Sequence, residues 1–166
     1  KITIPANSIV DENNNNYTGN VKVYARHLNP TNEKLGAIMP GDLNATNEDG
    51  NPLALETYGM VVIELEDESG MPLEIRENAK IDLEIPIPAE LLNDAPSEIP
   101  LWFFDLEKEE WLLSGSCDLV NGSYHCSVPS TGYWNCDIDL PAICLSGQVY
   151  NNDSTFAAYV QVIVED

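Results

Sequence analysis

The decapeptide CDLVNGSYHC, residues 117 to 126, constrains this chain more than any other stretch. Asn-Gly flanked by alternating residues is the strongest short-range signal for a two-residue hairpin loop, because both loop positions need positive φ. With Asn121 and Gly122 in the loop, Val120 pairs with Ser123, Leu119 with Tyr124, Asp118 with His125 and Cys117 with Cys126. Hydrogen-bonded and non-hydrogen-bonded pairs alternate outward from the loop, so the cysteines fall on a non-hydrogen-bonded pair with Cα atoms ~4.5 Å apart. Disulfides accept Cα separations from about 4.4 Å. A Cys117–Cys126 bridge is therefore predicted, in preference to two buried free thiols.

Cys136 and Cys144, in WNCDIDLPAICLSG, are the other two cysteines. They leave an even count, and neither pair has the CxxC spacing of a zinc or redox site. By elimination they are expected to form a second short-range bridge. Each bridge closes a loop of about ten residues, which chain entropy values at ~2–3 kcal/mol. Disulfides persist in oxidising surroundings, so the expected location is extracellular or on a cell surface.

The rest of the chain reads as strands. NVKVYARHL, LETYGMVVIELED, AKIDLEIPI, IPLWFFD, EWLLSGSC, SYHCSV and YWNCDIDL are short, β-branched or aromatic, and mostly alternating, with Gly, Pro, Asn and Asp clusters between them. Only PAELLNDAP, residues 88 to 96, has room for a turn or two of helix between its prolines. The longest stretch without a clear strand runs from His27 to Asn51 and contains MPGDL; it is expected to cover one end of the fold. The predicted class is all-β: an antiparallel β-sandwich over residues 1–141 with two short-range disulfides, then a C-terminal β-hairpin in residues 142–166. That last stretch is too short to bury a core alone. It either opens a second domain or docks its apolar strands, on the first domain or on a neighbouring molecule by strand addition.

Charge narrows the partners. Seven Lys and Arg against 28 Asp and Glu give a formal net charge of −21. Such a surface repels phosphate backbones and anionic membranes, which argues against nucleic acid as a partner. No apolar run approaches the ~18 residues of a membrane span, so no membrane insertion is expected. The start at Lys1, without a signal-type segment, reads as a mature or excised piece of a longer protein. The expected partners are adjacent domains of that chain or neighbouring copies in an assembly. Sequons stand at Asn16, Asn44, Asn121 and Asn152; Asn121 is discounted because it sits in the tight turn, leaving Asn16, Asn44 and Asn152 as glycosylation candidates.

The ordered motifs ITIPANSIVDENNNNYTGNVKVYARHLNP, MPGDL, LETYGMVVIELEDESGMPLEI, IPIPAELL, IPLWFFDLEKEEWL and YWNCD resemble a β-sandwich domain of large surface proteins of Bacteroidota-type bacteria. That domain is distantly similar to the ZU-type sandwich of netrin receptors and ankyrins. Residues 143 to 166 resemble the opening of a carboxypeptidase regulatory-like domain, a transthyretin-like β module. The resemblance implies a modular, secreted, non-enzymatic chain. Some relatives carry His-Phe-Ser before the aromatic-Trp-Asn-Cys run, and in parts of the wider family that triplet cleaves its own backbone. Here Ser130, Thr131 and Gly132 stand there, with glycine at the nucleophile position and no histidine. No self-cleavage is expected.

Other chemistry is sparse. His27 and His125 are the chain's two imidazoles, and both read as surface residues rather than catalytic bases. No catalytic residue is assigned, and paired carboxylates are uninformative among 28 acids. No cofactor is expected, with Ca²⁺ as the one candidate ion. Asp11, Asn13 and Asn15 match the first ligand positions of an EF-hand loop, but Asn16 replaces its glycine and Lys22 stands where the closing glutamate belongs. Asp137, Asp139 and Asp153 are further candidate ligands between strands or domains. Trp102, Trp111 and Trp134 are assigned to the core, with Trp111 the one candidate for a half-exposed sugar platform. The reading that results is a structural or adhesive module of a secreted or surface protein or appendage. The alternative is a glycan- or Ca²⁺-binding module of an extracellular adhesin.

Overall fold

Alternation in the sequence becomes alternation in burial. In the segment Ile81–Pro86, Ile81, Leu83 and Ile85 are buried while Asp82 and Pro86 face water, the signature of a strand packed on one face. The computed structural model of the protein describes residues 1–142 and 148–150. Its elements, in chain order, are β1 (Ile2–Thr3), β2 (Ile9–Val10), β3 (Lys22–Leu28), α1 (Leu35–Ile38), β4 (Asn44–Thr46), β5 (Pro52–Glu66), β6 (Pro72–Ile75), β7 (Ile81–Pro86), β8 (Glu98–Asp105), β9 (Glu110–Val120), β10 (Ser123–Val128) and β11 (Gly132–Pro141). The ladder runs β1-β7-β10-β9-β8-β11-β5-β6-β2, with β3 and β4 also joined to β5. Pairing is antiparallel, apart from one parallel contact of β4 with β9 at Ala45 and Trp111.

The hairpin at 117–126 adopts the register its turn dictates. Ser123 pairs with Val120, Tyr124 with Leu119 and His125 with Asp118. Asn121 and Gly122 have φ of 51° and 80°, the two positive values that the loop requires. Cys117 and Cys126 are bridged, with Cα atoms 4.6 Å apart.

The expected second bridge is corrected. Cys136 carries a free, buried thiol, whose sulfur lies 3.5 Å from Cys117 Sγ and 3.9 Å from Cys126 Sγ. Elimination counts thiols and ignores where they point; Cys136 points inward at the first bridge. Cys144 lies outside the described residues, as does most of the predicted C-terminal hairpin.

The ladder curls over on itself. β5 and β7 are far apart along it, yet Val61, Ile63 and Leu65 share one buried cluster with Ile81, Leu83, Ile85, Tyr124, Val128 and Trp134. The rings of Tyr58 and Tyr124 meet edge to face at 6.4 Å. A Cβ on Gly59 of β5 would fall 2.8 Å from Ile85 Cγ2 of β7, so the two strands nearly touch. Each such buried aliphatic side chain contributes roughly 1.5–3 kcal/mol.

A second cluster uses the other face of β5. Leu53, Leu55 and Met60 join Leu28, Leu35, Ala45, Trp102, Phe104 and Trp111. The register of β5 against β11 shifts where Cys136 faces Gly59 and Asp137 faces Thr57. One extra residue in β5 reverses which parity faces which cluster, since side chains alternate with period two. Leu53 and Leu55 therefore serve one cluster while Ile63 and Leu65, also odd-numbered, serve the other. The stretch between His27 and Asn51, in which no strand is predicted, supplies α1 and β4 to the second cluster. Residues 88–96, which had room for a turn or two of helix, form successive turns, closed by Leu91 N–H to Pro88 O and Asp94 N–H to Leu91 O.

Candidate functional site

Three regions carry chemistry beyond packing. The first is the sulfur cluster. Cys117, Cys126 and Cys136 place their sulfurs within 4.8 Å of one another, all buried. Burial, with the neighbouring Asp137 charge adding to it, pushes the Cys136 thiol far above the ordinary thiol range, so it stays protonated and unreactive. The bridge consumes the other two sulfurs, so the cluster braces rather than reacts.

The second is a buried polar trio on the β5–β11 seam. Thr57 Oγ1 donates to Asn135 Oδ1 at 2.6 Å, and Asn135 Nδ2 donates to Asp137 Oδ2 at 2.6 Å. Asn135 and Asp137 are fully buried. Asp137 Oδ1 has no hydrogen-bond partner. Burial pushes the Asp137 carboxyl up to about 8, against a lowering contribution from Thr57. At neutral pH this acid is largely neutral, which is how a carboxyl survives without a cation beside it.

The predicted ion ligands are dispersed. Asp11 Oδ1 accepts from the backbone N–H groups of Asn13 and Asn15 at 3.0 and 2.8 Å. Its carboxyl is held below the usual range mainly by these Asn15 contacts, so Asp11 and Asn15 are engaged in an Asx-type turn. Asn13 is exposed in that turn, Asp137 is interior, Asp139 is exposed near the end of β11, and Asp153 lies outside the described residues. Among the described residues the one group of three converging ligand types is the cysteine trio. Asn16 and Asn44 are exposed; Asn152 lies outside the described residues. Trp102, Trp111 and Trp134 are buried, and their indole N–H groups donate to the carbonyls of Asp137, Asp42 and Ser130. Trp111 is thus interior rather than half exposed, so it offers no sugar platform. Gly132 sits at φ 115°, with an added Cβ falling 2.9 Å from Phe103 Cε2. Both facts disfavour a serine at this position.

The third region is one that the sequence reading missed. β3 pairs with β5 along its whole length, and six of its seven residues are exposed. Facing its edge away from β5, which is open among the described residues, is the short edge made by β1 on β7. Between them runs a groove of about 600 Å³, walled by Ile2, Ile4, Val23, Ala25, Leu83 and Ile85. Lys1, Arg26 and His27 also line it. Burial lowers the His27 pKa, helped by the nearby amino terminus and opposed by a hydrogen bond to the Pro86 carbonyl. The start of the chain, β3 and β7 therefore converge here. Two of the chain's seven Lys and Arg residues line this groove, and one of them, Lys1, is paired at 2.8 Å with Glu84, which lines it too. The only advance signal was apolar alternation in segments too far apart in sequence to connect.

Comparison with known proteins gives limited similarity. No family model matches the chain, and no solved structure matches it. Cartilage intermediate layer protein 1 from Sus scrofa is 35% identical over 69 residues, covering 42% of this chain and 12% of that protein. The Mus musculus protein of the same name is 33% identical over 69 residues, 42% of this chain and 6% of that protein. The Homo sapiens protein is 26% identical over 122 residues, 73% of this chain and 10% of that protein. This antiparallel β fold with its bridged hairpin thus spans between 6% and 12% of the length of these curated relatives, to one stretch of which it is similar.

Proposed function

We propose that this chain is a structural, non-catalytic module of a secreted or cell-surface protein, built as a β-sandwich whose two faces enclose the core. The observation that carries this reading is the bridge between the buried cysteines Cys117 and Cys126 across the β9–β10 hairpin, a bond that needs an oxidising compartment to persist. The similarity to proteins named for a layer of cartilage supports the same location. The resemblance to surface-protein sandwich domains supports the modular part of the reading. Mechanically, the bridge stops the β9–β10 hairpin from fraying, while long antiparallel ladders such as β5–β11 resist sliding. The acidic surface keeps arrays of such modules apart in solution.

Pulling a tandem array of the chain in a single-molecule instrument tests this directly. Each unit should lengthen in one abrupt step. Reductant should add the length of the segment enclosed between residues 117 and 126. Gradual extension at low force, with no discrete steps, would reject a load-bearing role.

A further inference from the structure

The polar trio on the β5–β11 seam costs the fold more than apolar residues in the same places would. Thr57, Asn135 and Asp137 are buried, and among the described residues Asp137 Oδ1 is the one buried side-chain oxygen or nitrogen without a partner. Such an atom gives up its hydration for nothing in return. The trio has instead the composition of a reactive site: a hydroxyl, a carboxamide and a carboxyl in mutual contact. We propose that these three residues join β5 to β11 covalently, by an ester between the Thr57 hydroxyl and the Asn135 side chain formed with release of ammonia.

The bulge in β5 supplies the placement. Tyr58 is the extra residue between the Gly59–Cys136 and Thr57–Asp137 pairs, and a bulge re-aims the side chains beside it. Asn135 and Asp137, two residues apart, share one face of β11, and Thr57 is set against them. Thr57 Oγ1 lies 2.6 Å from Asn135 Oδ1. A carbonyl bond of about 1.23 Å then leaves the hydroxyl oxygen no more than about 3.8 Å from the carboxamide carbon, near the separation of atoms poised to react. The same hydroxyl acts on the Asp137 carboxyl, drawing its pKa down against the larger upward push of burial. Asp137 Oδ2 in turn lies 2.6 Å from Asn135 Nδ2. Burial keeps this carboxyl largely protonated at neutral pH, so it has a proton to give.

In the step, Thr57 Oγ1 bonds to Asn135 Cγ and the Cγ–Nδ2 bond breaks. Nitrogen leaves with the bonding pair as ammonia, taking a proton from Asp137, and Asp137 regains one from the Thr57 hydroxyl. The exchange is redox-neutral and needs no co-reactant. Exclusion of water from the seam protects the ester, and escape of ammonia makes the step one-way. Asp137, neutral again, can donate to the ester carbonyl in place of the lost amide contact. A threonine hydroxyl is a weak nucleophile, so the bond forms slowly after folding. It ties together residues 78 positions apart.

Intact mass of the folded full chain, followed on storage, tests this. The parent should become lighter by one ammonia, and proteolysis should release the β5 peptide carrying Thr57 joined to the β11 peptide carrying Asn135. Thr57→Ser should close the same link, and Thr57→Val should keep its full mass. Asp137→Asn should slow closure about a hundredfold or more. A folded parent that keeps its full mass overturns the proposal. So does ammonia loss that persists in Thr57→Val, which would place it at a succinimide such as the Asn121–Gly122 turn forms. Closure at the parent's rate in Asp137→Asn overturns the proton transfer assigned to that acid. Pulling gives an independent reading: a freshly made array lengthens on reduction, and a stored one should lose that extra length, because residues 117–126 lie inside the loop the ester closes.

Discussion

The interior around β11 and the edge at β3 flank the same central strand and are built to opposite rules. On one side of β5, β11 is paired along both its edges, to β5 and β8, and buries Trp134, Asn135, Cys136 and Asp137 in succession. A disulfide sits against its middle at Cys136. On the other side, among the described residues, β3 has one paired edge and a nearly continuous run of exposed residues. Redundant restraint in the first region fixes the fold. The second region is left with unspent pairing capacity, and that is where association with another segment costs the fold least.

The comparison is tested most severely at Asp137. Its carboxyl is raised from the ordinary 3.8 to about 8 in the fold. Between those values the folded chain holds a proton that the unfolded chain releases, so stability is full below about pH 4 and is lost as pH rises toward 8. Four units correspond to on the order of 5 kcal/mol. Urea denaturation at pH 5 and pH 8 should show this loss, and Asp137→Asn should flatten it. A parent whose stability is level across that range would mean that the seam is hydrated and less rigid than the contrast requires.

The bridge comes next. Replacing Cys117 and Cys126 together by alanine should cost about 2–3 kcal/mol from loop closure alone, with a further loss from the packing removed around Cys136. Chemical denaturation measures it, and an effect under about 1 kcal/mol would show that the surrounding β strands already supply the restraint. Gly132→Ser should cost about 1–3 kcal/mol, because the position combines positive φ with the close Phe103 ring. Intact mass should show that this variant remains one chain, since no histidine stands beside the introduced serine. A split at residue 132 would instead show that serine alone suffices for backbone cleavage here.

The same contrast explains what could be read in advance. The 117–126 hairpin was legible down to its register because every determinant is local: two turn residues, an alternation and a cysteine at each end. The antiparallel β class was legible for a related reason, since short alternating segments carry it one at a time. Cys136 was misassigned because its neighbours are set by curling of the sheet, which no cysteine count contains. The parity switch in β5 was hidden too, because a bulge opposite Asp137 leaves only a Tyr-Gly pair in the sequence. The groove assembles residues near positions 2, 25 and 85, and only the closure of the ladder brings them together.

The smallest expected effect is the sharpest check on the edge. Tyr24 lies in the middle of β3, opposite Glu64, and is half exposed. It is not among the groove-lining residues, so its replacement leaves that channel intact. Tyr24→Ser removes a large ring that has little packed against it, and surface changes of this kind fall within about 0.5 kcal/mol. A urea midpoint close to that of the parent is expected, with an unchanged denaturant slope. A loss above about 1 kcal/mol, a buried-residue magnitude, would mean that β3 is held as firmly as β11. The molecule would then have no weakly committed edge for a further strand to complete.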